Sequence, residues 1–126
     1  MKVVLLASEN AAGEPIFALL DRMTRDDALV AVGNVAIRLG AMMRKRRAAL
    51  RPKLDAMFME THRNPVEASR RMAMQLIAYH LPQVVVVHGD PDARLQEDVM
   101  AYAEAHLPEA IPVVSIEEFI RGRGRA

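Results

Sequence analysis

Three short apolar runs constrain the fold of this chain more than any other feature. They span residues 3–7, 84–87 and 111–114, and each is a continuous stretch rich in valine, isoleucine or leucine. Continuous apolar strands are typical of parallel sheets, because helices cover both faces of such a sheet. Segments with helical periodicity separate the runs, so the order of elements indicates an α/β fold.

Helix signals fill the long segment between the first two runs. Pro15 predicts the start of one helix, and Asn64 followed by Pro65 predicts the start of another that ends before Pro82. Thr24 is a candidate cap for a helix between these two, whose apolar spacing continues to about Leu50. A fourth strand over residues 28–32 is the alternative, and the sequence leaves it open.

The predicted architecture is a small Rossmann-like three-layer domain. We expect a short parallel sheet of about three strands, with a long helical insert between the first and second strands. The length of 126 residues suits one core. We therefore assign residues 1–120 to a single α/β domain and residues 121–126 to a flexible basic tail.

Composition narrows the cellular setting. The chain has no cysteine, so disulfide and thiolate chemistry are excluded. Its apolar runs fall short of the roughly 20 residues that a membrane span needs, and the first run is too short for the core of a signal peptide. We expect a cytoplasmic protein without membrane contact.

Self-association is expected from the small sheet. A three-stranded sheet leaves edges that helices or a second copy must cover. Gly33, Ala36 and Gly40 would lie along one strip of the predicted helix, where another helix can approach closely. The sequence therefore predicts a homodimer.

The positive charge is concentrated in one part of the chain. Residues 38–71 hold ten basic and three acidic side chains, a net charge of +7, although the whole chain carries only +1. At the centre are four consecutive basic residues, Arg44, Lys45, Arg46 and Arg47. One interpretation is contact with a polyanion, such as nucleic acid or a phosphorylated ligand. The other is a solvated surface that keeps the protein soluble.

The candidate site lies where the apolar runs end. Ligands of open parallel sheets bind beyond the carboxyl ends of the strands. Glu9 follows the first run, and His88, Asp90 and Asp92 follow the second. The three carboxylates would suit Mg²⁺, which prefers oxygen ligands and can hold a phosphate or position a water. His88 could carry a proton or bind a transition metal.

Helix capping is the competing interpretation of the same residues. Asp90 before Pro91 has the pattern of a helix cap, and Asp92 in a first turn would favour the helix dipole. Ser115 begins a second capping pattern, which places Glu117 in the first turn of a last helix. In this interpretation the carboxylates stabilise helix ends and bind no metal.

The spacing of these carboxylates is similar to that of the Toprim domain of topoisomerases and primases. In that family a glutamate after the first strand and an Asp-x-Asp after a later strand bind Mg²⁺ for phosphodiester chemistry. The matching residues here are Glu9, Asp90 and Asp92, while Asn10 stands where the family often has glycine. The similarity covers these few positions and implies a Mg²⁺-dependent nuclease-like site.

Two functional hypotheses follow from the sequence. The first is a protein that binds a polyanion or a nucleotide phosphate, with Mg²⁺-dependent phosphoryl-transfer or nuclease-like chemistry at the strand ends. The second is a non-catalytic regulatory or assembly module, with the helical insert as its partner surface. Carboxylates that converge in a cleft would favour the first hypothesis, and carboxylates that each cap a helix would favour the second.

Overall fold

The chain forms a parallel β-sheet with helices on both faces. The computed structural model describes residues 1–7, 13–32, 35–57, 65–89 and 94–123. Within these ranges the strands are β1 (Lys2–Ala7), β2 (Ala28–Val32), β3 (Lys53–Met57), β4 (Val84–His88) and β5 (Val113–Ser115). The helices are α1 (Gly13–Leu20), α2 (Val35–Arg44), α3 (Pro65–His80), α4 (Arg94–His106) and α5 (Ile116–Arg123).

The strand order of the sheet is β3-β2-β1-β4-β5, and every pair of neighbours is parallel. From β1 the chain builds the sheet toward one side through β2 and β3. It then crosses back to place β4 on the other side of β1, followed by β5. The strand order therefore reverses between β1 and β4.

Two apolar cores lie on opposite faces of the sheet. Alternate residues of each central strand enter alternate cores, so that Leu5 packs with α1, α2 and α5 while Leu6 packs with residues of α3 and α4. All five residues of β4 are buried. The prediction of an α/β protein with strands covered on both faces is confirmed, because continuous apolar strands need two layers of helices.

The expected count of three strands is wrong, and β2 is the first reason. Residues 28–32 form a strand, where apolar spacing had favoured a helix. Leu29 and Ala31 enter one core while Val30 and Val32 enter the other, and β2 pairs with both β1 and β3. A continuous apolar pentapeptide fits this central position, because a strand there is buried on both faces.

The second missing strand is β3, at one edge of the sheet. Its first three residues alternate between an exposed lysine, a half-buried leucine and an exposed aspartate. An edge strand with polar residues on one face has no continuous apolar run, so the apolar pattern did not predict it. The described segment between β1 and β4 is thus not purely helical. It contains β2 and β3, and α1, α2 and α3 alternate with these strands.

The helix ends agree in part with the predicted signals. α1 begins at Gly13, two residues before Pro15, and α3 runs from Pro65 to His80, before Pro82. Asn64, its predicted cap, lies outside the described residues. α5 continues to Arg123, so residues 121–123, which the sequence assigned to a tail, are helical.

In the part of the chain that the structure describes, no helix is both long enough and apolar enough to cross a membrane.

The small-residue strip expected at a dimer contact is not a surface feature as a whole. Ala36 is buried in the core under α2 and packs with the sheet. Gly40 has open space where a Cβ would stand, and Gly33 lies outside the described residues. Because Ala36 faces its own core, this strip loses its central member as a contact for another helix. The homodimer itself stays a prediction.

Candidate functional site

The strands β1 and β4 end side by side at the carboxyl edge of the sheet. Ala7, the last residue of β1, is the register partner of His88, the last residue of β4. The segments that follow, residues 8–12 and 89–93, therefore start from neighbouring points on one edge of the sheet. This is also the place where strand order reverses, and open α/β sheets bind ligands at such switch points.

His88 is the last residue of β4 and is buried, with 8% of its surface exposed to solvent. Because side chains alternate along a strand, His88 lies on the same face as Val84 and Val86, which belong to the core under α1, α2 and α5. The imidazole is thus the polar end of an apolar row, at the carboxyl edge of the sheet.

Gly89 turns the chain away from the sheet directly after His88. Its φ is 75°, in the left-handed region that glycine adopts without a steric penalty. A residue with a Cβ would be strained in this conformation, so glycine is favoured here for a local structural reason.

The three predicted metal ligands lie outside the described residues. These are Glu9, Asp90 and Asp92, and neither their convergence nor their role as caps is settled by the strand geometry. Among the residues that the structure does describe, no group of three or more histidine, cysteine, aspartate or glutamate side chains could hold a metal ion. The magnesium site therefore stays a prediction that rests on the sequence.

Ser115 is engaged at the start of α5. Its hydroxyl Oγ accepts a hydrogen bond from the backbone N–H of Glu118 at 3.2 Å and donates to Glu118 Oε1, also at 3.2 Å. The capping pattern predicted from the sequence is thus observed at this helix. Glu117, the neighbouring carboxylate, is exposed.

The basic residues predicted to bind a polyanion lie at the opposite edge of the sheet. Arg44 is the last residue of α2, and residues 45–52 lead through a short 3-10 helix, Ala48–Leu50, to the start of β3. The apolar spacing had predicted a helix continuing to about Leu50, but α2 ends six residues earlier. Helices of a parallel α/β sheet run against the strands, so this turn lies at the amino edge, away from His88.

Two arginines of this turn are committed to internal contacts. The Arg46 guanidinium pairs with Asp21 at 3.1 Å and donates to the carbonyl of Leu50 at 3.3 Å, and its Nε is buried without an acceptor among the described residues. Arg51 donates from Nε to the carbonyl of Arg46 at 2.7 Å and from a terminal nitrogen to the carbonyl of Arg44 at 3.0 Å. These bonds hold the turn between α2 and β3 in place.

The other three members of the basic run remain exposed. Arg44, Lys45 and Arg47 all face solvent, and Arg44 Nε donates to the carbonyl of Gly40 within its own helix. The consecutive charges thus divide into one structural arginine and three exposed cations. The sequence interpretation treated the basic residues of this segment alike, Arg51 included, and did not predict that Arg46 and Arg51 hold the turn.

Asp27 is a buried carboxylate in a segment that the sequence had predicted to be a helix capped by Thr24. The residue is 4% exposed, and Asp27 Oδ2 accepts from the backbone N–H of Thr24 at 2.9 Å. Asp27 Oδ1 lies 3.0 Å from the amino group of Met1. It therefore closes a turn before β2 and is not a residue of a helix capped by Thr24.

Comparison with known proteins gives no further assignment. No protein-family model matches the chain, and neither curated proteins nor solved structures include a match.

Proposed function

We propose that this protein binds a nucleotide or another phosphorylated ligand at the carboxyl edge of the sheet, in the crevice between β1 and β4. The observation that carries the proposal is the reversal of strand order at this crevice, where Ala7 and His88 are register partners. Ligands of open α/β sheets commonly bind beyond the carboxyl ends of the strands, where the strand order reverses.

Chain connectivity supports a role for the predicted carboxylates there. Glu9 follows the end of β1 by two residues, and Asp90 and Asp92 follow His88 by two and four residues. Carboxylate oxygens suit Mg²⁺, and a bound Mg²⁺ would hold a phosphate and position a water for phosphoryl transfer or phosphodiester cleavage. His88 would accept or donate the proton at the reacting oxygen.

Thermal melting with and without Mg²⁺ or Mn²⁺, each in the presence and absence of ATP, tests this proposal. In the wild type the metal and the nucleotide together should raise the melting temperature, because binding to the native state stabilises it. Asp90→Ser and Asp92→Asn should lose this increase. Glu104→Gln is the matched control, since it removes an exposed carboxylate of α4 and should keep the increase.

The same experiment separates the metal site from helix capping. As a cap, Asp90 would contribute about 0.5–2 kcal/mol to the free energy of unfolding, and serine would replace it well. The Asp92 charge would contribute only about 0.3–1 kcal/mol near a helix start. If metal and nucleotide do not change the melting temperature of the wild type, the proposal is overturned. The non-catalytic assembly module would then be favoured.

A second candidate function is polyanion binding at the amino edge. The observation that favours it is the exposure of Arg44, Lys45 and Arg47 together. Replacing these three residues by glutamine should weaken binding to heparin or duplex DNA in low salt and make the remaining binding less dependent on salt concentration. Stability should hardly change, because Arg46 and Arg51 are retained. If the wild type does not bind either polyanion in low salt, this segment is only a solvated surface.

A further inference from the structure

The outer edge of β3 offers backbone groups for another strand. β3 is the terminal strand of the described sheet. The Lys53 N–H donates to the carbonyl of Asp27 at 3.0 Å, so the backbone groups of Lys53 point toward β2. Because these directions alternate in a parallel strand, the N–H and C=O of Leu54 and Ala56 point outward. An added strand must therefore bond to residues 54 and 56.

The side chains of this edge carry opposite charges two residues apart. Lys53 and Asp55 are both exposed and lie on one face of β3 because side chains alternate. Leu54 lies on the other face and packs against the core under α2. A partner strand that carried an aspartate opposite Lys53 and a lysine opposite Asp55 would match both charges.

We propose that this partner is β3 of a second copy of the chain, paired antiparallel about a two-fold axis at Leu54. In this register the two Leu54 residues exchange both backbone hydrogen bonds. Lys53 of each copy stands opposite Asp55 of the other, at the closer of the two kinds of antiparallel pair. The result is a homodimer with one continuous sheet through both copies.

The neighbouring registers that also use the outward backbone groups are unfavourable. A two-fold axis at Lys53 places the two lysines against each other and sets Leu54 opposite Pro52, which has no N–H to donate. An axis at Asp55 places the two aspartates against each other. Like charges directly opposite destabilise a strand pair. Only the axis at Leu54 satisfies the backbone and both charge pairs.

A charged edge also has a protective role in monomers, since lysine on an edge strand discourages pairing with other chains. The two roles differ in one respect that can be measured. Protection depends on the presence of charge, whereas the dimer depends on opposite charges at the two positions. Like charges at residues 53 and 55 would therefore keep the edge protected but prevent the pairing.

Charge reversal at the two positions tests the dimer, with self-association measured by analytical ultracentrifugation at micromolar concentration. Lys53→Asp makes the edge wholly acidic and Asp55→Lys makes it wholly basic, so each should weaken self-association by about tenfold or more, as two cross-strand pairs become repulsive. Glu104→Lys, an equal charge change on exposed α4, should leave it unchanged. Both variants should remain folded because the two edge side chains are exposed, and their melting temperatures should fall only by the stabilisation that the lost association had given.

Mixing the two weakened variants is the decisive step. In the mixture each acidic edge finds a basic edge in the same register, so heterodimers should form where neither variant dimerises alone. The double variant Lys53→Asp with Asp55→Lys should dimerise again by itself. A monomeric wild type, single variants that dimerise normally, or a mixture without heterodimers would each overturn the proposal.

Discussion

The amino and carboxyl edges of the sheet use their polar groups in different ways. At the amino edge, backbone bonds link one strand start to the next: Ala28 N–H donates to Met1, Lys53 N–H to Asp27 and Gln83 N–H to Lys2. At the carboxyl edge, β1 and β4 end together and the chain leaves the sheet with Gly89 in a left-handed conformation. The first edge joins the starts of the strands, and at the second edge the chain leaves the sheet.

The basic residues illustrate the difference between the two edges. They form the densest charge in the sequence, yet they lie at the amino edge, and Arg46 and Arg51 donate hydrogen bonds that close the turn into β3. The density of charge therefore did not show which of these residues are structural. Arg46 and Arg51 hold the turn, whereas Arg44, Lys45 and Arg47 are exposed to solvent.

Replacing Asp27 tests the amino edge and should have the larger effect. Asp27→Ala leaves the Thr24 N–H and the Met1 amino group without their buried acceptor, so the free energy of unfolding should fall by about 2–3 kcal/mol. Urea denaturation measures this loss. Asp26→Ala is the matched control at an exposed neighbour and should change stability by less than about 0.5 kcal/mol.

The same variant also tests whether the amino edge takes part in ligand binding. If the amino edge serves structure alone, Asp27→Ala should keep any nucleotide-dependent increase in melting temperature that the wild type shows. Equal stability of the Asp26 and Asp27 variants would contradict a structural role for the buried carboxylate.

Replacing Gly89 tests the carboxyl edge and should have the smaller effect on stability. With φ at 75°, Gly89→Ala places a Cβ in the left-handed region and should destabilise the protein by about 1–2 kcal/mol. Gly40→Ala is the matched control, because Gly40 lies in α2 with open space around a Cβ. That change should stabilise the protein by about 0.5–1 kcal/mol.

The two glycine variants should therefore shift urea denaturation in opposite directions. A Gly89→Ala protein as stable as the wild type would show that the exit from β4 tolerates other conformations.

Local signals predicted much of the fold because some residues have only one favourable environment. The valines of β4 and the apolar residues of β1 indicated buried strands, and Ser115 with Glu118 forms the cap expected for α5. Residues 28–32 were ambiguous, since a short apolar run fits a central strand and a buried helix equally well. The edge strand β3 was not predicted, because Lys53 and Asp55 make one of its faces polar and interrupt the apolar run.

The candidate site was predictable only in its position along the chain. Strand ends followed by Glu9 and by His88 indicated where a ligand could bind, and the structure adds that these strand ends are neighbours. Adjacency of β1 and β4 depends on the crossover through β2 and β3, which the sequence did not indicate. The spacing of carboxylates cannot choose between helix capping and metal binding, since both use the same residue types near a strand end.

By itself, the sequence determined the α/β class, the buried strands and the place where polar residues follow them. These follow from local hydrophobicity and from the backbone preferences of proline, glycine and capping residues. The strand order, the edge position of β3 and the location of the basic turn at the amino edge are visible only in the tertiary structure. These depend on which distant segments pair, and the free energy of that pairing comes from burying both faces of β1, β2 and β4 at once.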